Sequence, residues 1–270
     1  MKAAWRFMSE IWTAPNAAPF SFAAGFPIMK EKIAEKRARR SKRKKECALR
    51  VLIVTAVEAE KEAALRGLGQ QGGGRFDVAA SGVGPAAAAA ETALALAAAA
   101  RSGAPYGLAV SAGIGGGFAG RAGVGDLVVA TAMIAADLGA ETPEGFLGVD
   151  ELGFGPARIP ADGRWADRLT EALRAAGLPV RRGAVLTVSA ATGTAETAGR
   201  LAAQHPDAAA EGMEGFGVAT AARRLGTPAI EIRAISNRVG PRDRSAWRIE
   251  EALERLAAAC AALASLTETG

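Results

Sequence analysis

The chain has 270 residues, half of them apolar, enough to bury one good-sized core, so a single α/β domain is the default expectation. The formal charge of +5 is unevenly spread: residues 1–48 hold 12 Lys/Arg against 4 Asp/Glu and the remainder is slightly acidic, so the pI of 9.5 belongs to the N-terminal stretch. One histidine and two widely separated cysteines, Cys47 and Cys260, exclude the usual Ser-His and Cys-His hydrolases, a zinc cluster and a disulfide framework, and they fit a reduced, cytoplasmic setting.

Residues 1–48 are expected to be a basic, solvated and disordered extension, with nucleic-acid contact through the run at 30–45 as the rival reading. Pro15, Asn16, Pro19 and Pro27 break up the apolar residues ahead of that run, so neither a secretory signal nor a membrane span is expected. At Leu49 the character changes. Leu49–Thr55 is a β-branched run suited to a buried strand, and it opens a domain taken to span 49–270. The next residues turn helical, which places Glu58 and Glu60 at a strand-to-helix junction near the positive end of the helix dipole.

Phe76–Ser81 reads as a second strand, and Pro85 starts an Ala-rich helix reaching about Arg101. Leu108–Ala112 is the next strand, followed by a glycine loop from Gly113 to Gly120. That loop holds a formal G-x-G-x-x-G at Gly115, Gly117 and Gly120, but a dinucleotide site needs a helix directly after the glycines. Here Asp126 leads into another strand instead, so the glycines are expected to let main chain approach a ligand. Asp137–Pro160, punctuated by Gly and Pro, reads as a lid or pocket wall. A helix over 161–176, a strand over 180–189 and a helix capped by Thr194 and running to Gln204 follow, with His205 a solvated residue at the helix end.

Ala210–Ala219 sets Glu211 and Glu214 beside glycines at the entry to a helix reaching Leu225. In Ala229–Trp247, Ile230, Ile232 and Ala234 alternate with Glu231, Arg233 and Ile235, as in a mostly buried strand, and Gly240-Pro241 stops it. Ser236, Asn237 and Arg238 therefore stand at a strand's carboxyl end, where open α/β sheets bind their ligands.

Glu211-Gly-Met-Glu214 and Ile232-Arg-Ala-Ile-Ser-Asn237, taken with Thr55-Ala-Val-Glu-Ala-Glu60, the glycines at 113–117 and Asp126-Leu-Val-Val, resemble the purine nucleoside phosphorylase and nucleosidase superfamily over roughly residues 49–268. The resemblance implies a three-layer α/β fold, with a twisted mixed central β-sheet flanked by helices. It also implies a small-molecule nucleoside substrate, no metal or organic cofactor, no nucleic-acid or membrane partner, and a homo-oligomer. Ser236–Trp247 is most similar to the branch that hydrolyses futalosine to release hypoxanthine for menaquinone biosynthesis. The 5′-methylthioadenosine/S-adenosylhomocysteine nucleosidases are the alternative.

Carried over by that resemblance, Glu60 activates the attacking water, Arg233 helps to hold it, and Glu214, following Met213, grips the ribose 2′- and 3′-hydroxyls. Gly116 lies in the glycine stretch that meets the substrate, and Thr192 and Gly193 flank the base through main-chain groups. Asn237 is the most informative position, because relatives acting on adenine commonly carry Asp there. Its carbonyl can accept from a protonated N7 while its NH2 donates to O6, a pairing that suits a 6-oxopurine. Arg238, Arg242 and Arg244 are expected near a carboxylate at the far end of the substrate. Ile114 departs from the pattern, standing where many relatives have a serine.

Overall fold

The computed structural model describes residues 49–72 and 74–268; the extension expected over 1–48 lies outside the described residues. The first strand, β1 (Val51–Thr55), is buried at every position because the sheet it joins is covered on both faces. Val51 and Ile53 pack with Ala63, Leu256 and Cys260, whereas Leu52 and Val54 face Ala88, Leu96 and Val218. One apolar run thus anchors two helical layers.

Those layers follow from the chain order. Helix α1 (Glu58–Leu68) leaves β1 and lies against the C-terminal helix, α6 (Ile249–Glu268), with α3 (Gly163–Ala175) beside it. On the other face α2 (Pro85–Arg101) packs on α5 (Gly215–Arg224). Both main helix pairs rely on glycine for their closeness. A Cβ on Gly67 would stand 1.9 Å from the Ala257 carbonyl oxygen, and one on Gly217 would stand 2.1 Å from that of Pro85. The alanines of α2 serve the same tight packing, with Ala88 and Ala99 buried.

The sheet is mixed and curls on itself. β2 (Phe76–Ala80), β1 and the long β3 (Leu108–Gly117) run parallel, and β3 also pairs with β10 (Ala229–Arg238) in parallel. β10 continues antiparallel to β4 (Leu127–Ala135), then β8 (Val180–Thr187) and β9 (Ala208–Gly212) follow in parallel. The last two residues of β3, Gly116 and Gly117, then pair antiparallel with Glu211 and Ala210 of β9, so five strands form a closed ring. This is the expected sheet flanked by helices, with a closure that the sequence did not announce.

Two expectations change. Gly113–Gly117 is strand and not loop: the glycines continue β3, paired with β10 along their length. The segment from Asp137 is largely an antiparallel hairpin, β5 (Gly139–Thr142) and β6 (Gly145–Gly148), followed by the short β7 (Arg158–Pro160) on the edge of β4. None of its residues lines the main cleft, but Asp137, Gly139, Glu141 and Phe146 wall a neighbouring pocket that shares Thr192 with it. Thr194 caps α4 (Ala195–Gln204) as expected, accepting from the Thr197 N–H at 3.1 Å. His205 at that helix's end is half-buried, not solvated, and burial lowers its pKa.

Candidate active site

A cleft of about 380 Å3 opens where β1, β3, β9 and β10 end, and its walls include Glu60, Gly116, Thr192, Met213, Glu214, Arg233 and Asn237. Gly193 and Arg244, both expected near the substrate, are missing from its lining. The Gly193 carbonyl accepts from the Arg242 N–H at 3.3 Å and so ties two loops together beside the cleft.

Arg233 is the hub, 2% exposed on a strand flanked by β3 and β4. Its Nε donates to Glu231 at 2.8 Å, and one terminal nitrogen reaches Glu214 at 3.0 Å and the Ser111 hydroxyl at 3.2 Å. The other donates to the Ile114 carbonyl at 3.3 Å. Burial disfavours its charge, but Glu231, Glu214 and Glu60 outweigh that and hold its pKa above the ordinary value. Glu231 is the opposite case: burial dominates and pushes its carboxyl up to about 7, against the pull of Arg233. Its second oxygen is buried with no hydrogen-bond partner among the described residues, a condition that a protonated carboxyl tolerates better than a carboxylate.

Glycines make room for this cluster. A Cβ on Gly113 would lie 2.6 Å from a Glu60 oxygen and 2.7 Å from an Arg233 nitrogen; on Gly212, 2.7 Å from the guanidinium carbon; on Gly215, 2.0 Å from Glu231. At Gly113, where main chain was expected to approach a ligand, as at Gly212 and Gly215, the space is filled by the protein's own charged side chains.

Glu60 is buried and serves two structures at once. One oxygen accepts the N–H groups of Ala56 and Val57 at 2.9 and 3.3 Å, closing the N-terminus of α1, and the other accepts the Ile114 N–H at 2.9 Å. Ile114, which lacks the serine hydroxyl of many relatives, holds both Glu60 and Arg233 through its main chain. Glu58, its companion in the sequence, is exposed and pairs with Lys61. Glu214 accepts from the Gly84 N–H at 3.1 Å and from its own neighbour Met213 at 3.3 Å.

Asn237 stands half-buried on the far side of the cleft. Its carbonyl accepts from Ser236 Oγ at 2.8 Å and its NH2 donates to the Arg238 carbonyl at 3.0 Å, leaving one acceptor and one donor position for a ligand. A bulge at Ser236 puts Asn237, rather than Ser236, opposite Gly116. Thr192 lines the cleft, and its N–H and hydroxyl both donate to Glu211.

A profile described as "Phosphorylase superfamily" matches residues 55–269. The chain belongs to the phosphorylase superfamily. A futalosine hydrolase of Streptomyces coelicolor is 51% identical over 235 residues, covering 82% of this chain and 97% of that protein. Among superfamily structures, a 5′-methylthioadenosine/S-adenosylhomocysteine nucleosidase from Neisseria meningitidis, solved with methylthio-immucillin-A, gives a TM-score of 0.66 at 24% identity, covering 82% of this chain and 99% of that one. The native futalosine hydrolase of Helicobacter pylori gives 0.65 at 18%, covering 82% and 98%. At those identities the two structures establish the shared fold.

Within this superfamily member, Glu231, Ser111 and Glu211 belong to the site without having been assigned a part in it. Glu231 carried a readable signal: an acidic residue in an apolar strand, two positions from Arg233 and hence on its face. Ser111 carried none.

Proposed function

We propose that this chain hydrolyses the N-glycosidic bond of futalosine and releases hypoxanthine, serving menaquinone biosynthesis from the cytoplasm as a homo-oligomer. The half-identity to the Streptomyces coelicolor protein across nearly all of its length supports the substrate. The position of Glu60 carries hydrolysis over phosphorolysis. It occupies the amides of Ala56 and Val57 directly after β1, where the resemblance places the phosphate turn of phosphorylases. A phosphate dianion there would meet a buried carboxylate, whereas a water is oriented by one.

In this reading, water held by Glu60 and Arg233 adds to C1′ and gives a proton to the Glu60 carboxylate as the C1′–N9 bond breaks, and the base leaves with the bond's electron pair and takes up a proton from solvent at N7. Glu214 binds the ribose diol and stabilises the oxocarbenium-like centre. Asn237 accepts from the N7 proton of the departing base and donates to O6. Arg238, Arg242 and Trp247 line one wall of the cleft, and Arg242 lies 5.2 Å over the Trp247 ring, a cationic and aromatic surface suited to the benzoate of futalosine. Arg244 lies 5.9 Å from the Trp247 ring centroid but does not line the cleft.

Product chromatography in phosphate-free buffer is the test. Hypoxanthine should appear from futalosine without phosphate; a requirement for phosphate, or faster cleavage of methylthioadenosine, would overturn the proposal.

A further inference from the structure

The ladder of the sheet aligns three cleft residues that the reaction scheme leaves partly unused. Asn237 of β10 stands opposite Gly116 of β3, and Gly116 stands opposite Glu211 of β9. Residues directly paired across a sheet project to the same face, and a Cβ built on Gly116 would meet the Val239 side chain at 2.8 Å and the Asn237 amide nitrogen at 3.4 Å. Two polar side chains therefore flank Gly116, over which Val239 lies, with their backbones two strand spacings, about 10 Å, apart. That is the span of one purine bicycle with a hydrogen bond at either edge.

Glu211 is only 7% exposed, and no ion pair to it is found among the described residues. Its two oxygens each accept one hydrogen bond from Thr192, from the N–H at 2.9 Å and from the hydroxyl. Burial raises the Glu211 pKa while the two Thr192 donors, one on each oxygen, favour the ionised form, and each oxygen keeps a second acceptor position. A buried carboxylate fixed in this way lacks only a donor. A 6-oxopurine has one at N1, next to the O6 assigned to Asn237; a 6-aminopurine has a bare lone pair there.

We infer that Glu211, positioned by Thr192 across Gly116 from Asn237, is a base-specificity residue that accepts the N1–H of a 6-oxopurine and repels N1 of a 6-aminopurine. The inference rests on the nucleosidase reading above and adds a second discriminating contact. Thr192 then acts on the base through Glu211 instead of through its own main chain.

The test compares kcat/KM of the full chain and its Glu211→Gln variant on futalosine and on its 6-amino counterpart with the same 5′ substituent. Gln keeps the acceptor for the Thr192 N–H but sets an NH2 where an oxygen stood, so the preference for the oxo substrate should fall tenfold or more. A structural role alone would lower both values together and leave the ratio unchanged, which would overturn the assignment of Glu211 while hydrolysis itself stood. A wild-type protein that releases no hypoxanthine would overturn the functional reading and this one with it. Should the variant fail to fold, inhibition of the wild-type enzyme by hypoxanthine and by 1-methylhypoxanthine, which lacks the N1–H, decides the matter. The methylated base should inhibit at least tenfold more weakly, and equal inhibition would refute the contact.

Discussion

With Arg233 fully buried beside Glu231 and Glu214 and near Glu60, the site holds one cation among three acidic groups. Removing it would leave buried carboxylates unpaired, which costs several times the worth of the pair itself. Its place is therefore structural as well as chemical. Asn237 is the freer residue, half-buried and at the end of its strand, so a substitution there tests chemistry more cleanly. Asn237→Asp should shift the base preference from hypoxanthine toward adenine, because a protonated Asp donates to N7 and its carbonyl accepts from a 6-amino group. A mismatched buried polar pair is worth ~1–3 kcal/mol, about tenfold or more in relative kcat/KM. Paired inosine-type and adenosine-type substrates measure it, and an unchanged ratio would sink the hydrogen-bond account of this residue.

At the scale of elements, the glycine-rich half of β3, the turn into α5 and the bulge in β10 act together. Glycines leave room for charged side chains at Gly113, Gly212 and Gly215 and for Val239 at Gly116, and the bulge sets Asn237 opposite Gly116. The same residue type thus has opposite consequences by position. Gly215→Ala should drive a methyl into Glu231 and destabilise the fold by ~1–3 kcal/mol, as overpacking of a filled core does. Gly199→Ala, in α4 with nothing within 4 Å of the added carbon, should be neutral or stabilise by up to ~1 kcal/mol. Thermal and denaturant melts of the two variants distinguish them, and equal shifts would contradict this account of β3 and α5.

For the whole molecule, every residue lining the cleft lies between Ala56 and Trp247, within the span matched by the superfamily profile. The strongly basic residues before Ala48 carry the chain's excess of positive charge. A protein lacking residues 1–48 should hydrolyse futalosine with unchanged kcat/KM while losing any affinity for nucleic acid. Lost hydrolysis in a truncated protein that still melts cooperatively would place the extension in the enzyme.

Much of this was legible in the chain itself. β-branched runs, capping residues and glycine breaks mark local preferences, so β1, α2, the Thr194 cap and the alternating faces of β10 could be read directly, and the Met213-Glu214 and Arg233–Asn237 motifs located the cleft. The rest depends on pairing between strands distant in sequence. Nothing local to Ser236 announces the bulge that turns Asn237 onto Gly116, nothing near Gly113 says that its missing side chain is replaced by Glu60 and Arg233, and only closure of β3 onto β9 brings Glu211 into line with Gly116 and Asn237. Local propensity acts over a few residues, whereas register is decided by which distant partner a strand finds. The sequence by itself marked the Met213-Glu214 and Arg233–Asn237 segments that line the cleft; the tertiary structure decided which side chains face one another there and brought Glu231, Ser111 and Glu211 to them.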